Sequence, residues 1–174
     1  MSTESPAGGA GKGGFDIRSI NRNDLGVMIA GAVALIASFL PFYGVSYKGN
    51  FSGLDYSWTA WHSYGVLGIL LVLIAAVVIA VKTFAASSMP TLPVGLHVAA
   101  AALAALGTLL LILRAFTYPS ASGPGGSVGV KWGAYILFIA GIAEVVFAIL
   151  GMRESGEEIP GMKRGGTGAA PPAA

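Results

Sequence analysis

Four apolar runs, at residues about 25–43, 61–81, 91–113 and 131–152, divide the chain, and polar or Gly/Pro-rich stretches separate them. A helix crosses a bilayer with about 20 apolar residues, so each run is long enough to span one. In lipid a spanning segment must satisfy its own backbone polar groups, which an isolated run does only as a helix. The pattern therefore predicts an all-α membrane protein, a four-helix transmembrane bundle over residues 24–152. Residues 1–23 and 153–174 are rich in Gly, Pro, Ala and charge. Such segments bury too little apolar surface to fold alone and are expected as disordered cytoplasmic tails. Lys82 to Pro90 is a short connection, which makes the second and third spans antiparallel neighbours. Residues 116–130 are expected as a flexible loop.

Basic residues set the orientation. Lys12, Arg18, Arg22, Lys82, Arg153, Lys163 and Arg164 fall on one side, and Lys48, Arg114 and Lys131 on the other. Both termini are then cytoplasmic and both longer loops face outward, with the chain in the plasma membrane. Arg114, at an outer helix end, is expected to snorkel to the headgroups. Aromatic residues crowd the first outer loop. Tyr43, Trp58, Trp61, Tyr64 and Trp132 fit an interfacial belt, where amphipathic rings sit at headgroup level. Val45, Tyr47 and Phe51 around Lys48-Gly49-Asn50 hint at a hairpin cap over the outer ends.

Inside the spans two features go beyond hydropathy. Gly26, Ala30, Ala34 and Ser38 recur every four residues, which places small side chains on one helix face where another backbone packs closely. Glu144 is the ionisable residue in the middle of the fourth run. Ten strongly apolar neighbours contribute about −3 to −6 kcal/mol toward insertion, against about +3 for one charge at the centre, so the segment still inserts. Glu144 must face other helices, flanked at i±4 by Ala140 and Ala148. At 1.5 Å per residue it lies about 12 Å from the cytoplasmic edge and His97 about 9 Å, which makes His97 its candidate partner.

The chain has no cysteine and two histidines, which excludes disulfides and thiolate metal sites and leaves no multi-histidine site. Charged residues are 10% of the chain, against about 25% in soluble domains. The net charge of +2 is too small to suggest nucleic acid. No phosphate-binding loop, His-Glu-x-x-His pair or Ser/His/Asp set is present, and no cofactor or metal is expected. The segments FLPFYG, WTAWHSYGVLG, and GAYILFIAGIAE with GMRE resemble those of small, uncharacterised four-span membrane proteins of high-GC Gram-positive bacteria. That resemblance implies topology and localisation but no reaction. Two functions fit. One is a non-enzymatic accessory subunit, scaffold or envelope-associated factor, working in the bilayer as a homo-oligomer or within a larger complex. The other is a small oligomeric transporter or channel component that uses Glu144 as a proton or cation site.

Overall fold

The computed structural model describes residues 20–47, 55–85, 95–117 and 126–157. Within them the chain runs α1 (Arg22–Ser38), β1 (Tyr43–Tyr47), β2 (Tyr56–Trp58), α2 (Gly65–Phe84), α3 (Leu96–Phe116), β3 (Gly126–Val130) and α4 (Trp132–Ser155). Three helices, α2, α3 and α4, are long and apolar enough to cross a membrane. The fourth, α1, has 17 residues. Each helix packs beside the next, α1 on α2, α2 on α3 and α3 on α4, and α4 returns against α1 to close a ring.

Local chemistry explains the helix limits. Asn21 caps α1, its Oδ1 accepting from the Asn23 N–H at 2.7 Å, and Asp24 places negative charge in the first turn, where the helix dipole favours it. The apolar run predicts a helix through Tyr43, but α1 ends at Ser38. Pro41 has no N–H to continue the ladder and disfavours helical geometry at Leu40. At the far end of the chain α4 overruns the expected limit at Met152 and reaches Ser155. It stops at Gly156, whose left-handed φ of 70° turns the chain back. Arg153 to Glu157 therefore belong to the folded unit and not to a tail. Residues 1–19 and 158–174, on which the remaining tail expectation falls, lie outside the described residues.

The interior of the ring mixes small side chains with aliphatic ones such as Ile69, Ile79, Leu111 and Leu137. Ala34, Ala75, Ala100, Ala104, Ala134 and Ala148 are essentially inaccessible, while Ile29, Ile36, Leu67, Val77, Leu109 and Ile139 point outward. In lipid no hydrophobic force draws helices together, so close backbone approach over small residues takes its place. The α2–α3 seam shows how close. A Cβ on Gly68 would lie 3.0 Å from the Gly107 carbonyl oxygen, and one on Gly107 would lie 2.6 Å from that of Gly68.

The fold is not all-α. The strands form one antiparallel sheet in the order β2-β1-β3 over one end of the ring. Tyr43 pairs with Trp58 on one side and Val130 on the other, and Val45 pairs with Tyr56 and Val128. Successive side chains alternate faces. Tyr43, Trp58, Val128 and Val130 therefore share the face that joins the helix core, and Gly44, Ser46, Ser57, Ser127 and Gly129 share the other. The loop expected over 116–130 thus contributes a strand at Gly126–Val130, because β1 supplies a partner for its backbone. Residues 48–54, the expected hairpin turn, lie outside the described residues.

Candidate functional site

The polar residues gather in three places. At the end of the ring away from the sheet, every helix contributes to one cluster centred on His97, the second residue of α3. Its Nε2 lies 2.7 Å from Asp24 Oδ1 of α1 and 3.0 Å from Lys82 Nζ of α2. Its Nδ1 lies 2.9 Å from Glu157 Oε1 and 3.3 Å from Ser155 Oγ, both at the end of α4. Lys82 also reaches Asp24 Oδ2 at 3.2 Å. An unprotonated Nε2 accepts from Lys82, and a protonated one donates to Asp24. In the imidazolium form both nitrogens donate to carboxylates, and two positive charges then face two negative ones. Asn23 adds a bond to Glu154 at 2.6 Å, which ties α1 to α4 again.

Glu157 does a second job. Gly95, the N-cap of α3, brings no capping side chain. Glu157 Oε2 instead accepts from the backbone N–H groups of His97 at 2.9 Å and Val98 at 3.2 Å. These are the unpaired donors of a helix N-terminus. Burial alone would raise the Glu157 carboxyl, but the His97 ring, the Val98 N–H, the His97 charge and the His97 N–H outweigh it and hold the group below its ordinary value of 4.5. The glycines leave room for this. A side chain at Gly95 would collide with the Glu157 carboxylate, and one at Gly151 would meet the His97 ring at 2.6 Å.

The second place lies beneath the sheet. Arg114 is buried rather than snorkelled outward, at 6% exposure. It donates to the Thr117 carbonyl at 3.2 Å and to the Tyr43 hydroxyl at 3.3 Å. Its guanidinium stands 5.0 Å from the Tyr43 ring centre and 5.4 Å from that of Tyr64, close enough for cation–π attraction. Tyr64 also bonds Thr117. Arg114 thereby pins the sheet to the ends of α2 and α3. Tyr43 is accordingly buried, stacked on Trp58 at 5.2 Å. Trp61 bonds Ser38 at 3.0 Å. Of the five expected belt residues, Tyr64 and Trp132 are well exposed.

The third place is Glu144. It is 0% exposed, and neither carboxylate oxygen has a hydrogen-bond partner among the described residues. The expected pair with His97 is not formed. His97 packs at Gly151, seven residues or about 10.5 Å along α4 from Glu144. Similar depth along two helices does not bring two side chains into contact. The extra turn of α4 and the return at Gly156 supply His97 with Glu157 instead, and Asp24 and Lys82 complete its shell. The small-residue face does lie between helices. Ala30, Ala34 and Ser38 are buried, and Gly26 sits under the Phe147 ring of α4.

Sequence reading missed Asp24, Lys82 and Glu157 as partners of His97. A signal existed, since all four sit within about two turns of the same ends of the apolar runs. No group of three or more His, Cys, Asp or Glu side chains placed to hold a metal occurs among the described residues. No family model matches the chain, and no curated protein matches it.

Proposed function

We propose that the chain is a four-span plasma-membrane protein that works without catalysis, as an accessory or scaffolding subunit in the cell envelope, alone as an oligomer or within a larger complex. The observation that carries this reading is how the ionisable side chains at the two ends are used. Asp24, Lys82, His97 and Glu157 are committed to one another, and Arg114 to the sheet. Their effect is to hold the helices and the cap as one rigid body. What that body presents is an apolar flank and a sheet face of Gly and Ser with Lys131 bonded to Ser46, which suit partners more than substrates.

The height of α1 supports four spans. Its first turn bonds α2 and α3 at the His97 end through Asp24. Its last residue, Ser38, receives a bond from Trp61 at the sheet end. It therefore reaches from the His97 cluster to the sheet end, although it is shorter than its neighbours. Arg22, Lys82 and Arg153 lie at the His97 end, which is cytoplasmic by the positive-inside rule.

The chain has no cysteine, so single cysteines report cleanly. Gly129 opens onto free space on the outer sheet face. A benzophenone maleimide on Gly129→Cys, photolysed in native membranes, should give a discrete adduct of defined partner mass. The same probe at the lipid-facing Ile139 tests the flank. Failure of both positions to cross-link any protein would overturn the scaffold reading.

A further inference from the structure

We propose that Glu144, with Thr108 beside it, forms a proton-binding site in the interior of the helix ring, approached from the lipid through the α1–α2 seam. Several independent observations carry it. Glu144 is fully buried with both oxygens unpartnered, and the Thr108 hydroxyl of α3 is likewise buried without a partner. The two sit about one turn apart. Thr108 packs directly on Gly141, three residues before Glu144 on the inward stripe of α4. Gly31 of α1 faces Glu144.

An ionised carboxylate here would lack water and counter-charge, which costs several kcal/mol. Three things could relieve it. No titratable side chain of α1, α2 or α3 is bonded to it among the described residues; Asp24 and Lys82 are joined to His97. A divalent cation takes six or more oxygen ligands, whereas Glu144 and Thr108 together offer two carboxylate oxygens and one hydroxyl. A proton needs no further ligand.

The approach is set by Gly31. A Cβ there would lie 4.0 Å from Glu144 Oε1 and would collide with Ala76. Gly31 and Ala76 also floor a groove of about 310 Å³ between α1 and α2, walled by Met28, Leu35, Leu73 and Val77. The carboxyl thus lies directly behind the floor of an apolar groove that opens to lipid. The inference does not depend on the scaffold reading.

The test is labelling in native membranes with the lipophilic reagent dicyclohexylcarbodiimide, mapped by mass spectrometry. The acid proton moves to one carbodiimide nitrogen and the carboxylate oxygen adds to the central carbon. Acyl migration then gives a stable N-acylurea, and no group leaves. Glu144 should be labelled, a water-soluble carbodiimide should leave it untouched, and Glu144→Gln should lose the adduct. Ala32→Trp fills the groove from its exposed side and should slow labelling at least tenfold. Val33→Trp, in the groove between α1 and α4, should leave the rate unchanged. No adduct at Glu144 while Asp24 or Glu157 is labelled would overturn the site. Equal rates in the two Trp variants would overturn the route.

Discussion

Glu157→Ala is the most informative single change, because one side chain both caps α3 and partners His97. It removes acceptors from the His97 N–H, the Val98 N–H and His97 Nδ1. Losing a helix N-cap costs about 0.5–2 kcal/mol, and a hydrogen bond to a charged group is worth about 1.5–3 kcal/mol. The side chain is 19% exposed, so water replaces part of what is lost. A net cost of about 2 kcal/mol follows, or roughly 4–8 °C in Tm for a chain of this size. Thermal unfolding of the purified protein in mild detergent measures it. Glu157→Gln keeps an amide oxygen for the backbone donors and should recover about half of the loss. The pH dependence has a definite sign. The folded-state carboxyl is held below 4.5, so its stabilisation is present above the unfolded value and is lost as pH falls through the lower, folded one. The gap between wild type and Glu157→Ala should be open at neutral pH and close as pH falls below 4.5. Equal Tm values at neutral pH, or a gap that widens in acid, would refute the argument.

Gly141→Ala drives a methyl group into Thr108 and should cost about 1–3 kcal/mol by overpacking; adding Thr108→Ala should return most of it, read by the same melting assay. Ala30→Leu puts bulk between α1 and its neighbours, where Ala30 is 6% exposed, and should cost about 1–3 kcal/mol; an unchanged Tm and oligomer size would show that this face looks at lipid. Arg114→Lys loses the planar fork and the stacking on Tyr43 and Tyr64. It should speed proteolysis of the sheet severalfold while leaving helix content by circular dichroism unchanged.

Hydropathy located the helices because burial in lipid demands apolar side chains all round, whatever their partners. It placed the end of α1 too late, since FLPFY reads as apolar whether helix or strand follows, and Pro41 decides between them. The sheet was half visible. Tyr43, Val45 and Tyr47 alternate in the sequence, but GSVGV at 126–130 has little strand propensity of its own and is a strand through its pairing with β1. Glu144 could be assigned to the interior because lipid forbids the alternative. The partners of His97 could not be assigned, because depth along a helix says nothing of which neighbour a side chain meets. The bonds to His97 reach residues up to 73 positions away, and the last member of the cluster arrives through a left-handed turn at Gly156. Asp24, Lys82 and Glu157 each read locally as an ordinary helix-end charge.

The central claim is that α1 crosses the membrane with the other three helices, leaving the His97 cluster inside and the sheet outside. Labelling of single-cysteine variants in intact cells with a membrane-impermeant maleimide tests it directly. Gly129→Cys, on the outer sheet face, should label fully. Asn21→Cys at the start of α1 and Ser155→Cys at the end of α4 should label only after the membrane is permeabilised. Labelling of Asn21→Cys in intact cells while Ser155→Cys stays protected would mean that α1 does not cross, and protection of Gly129→Cys would invert the orientation.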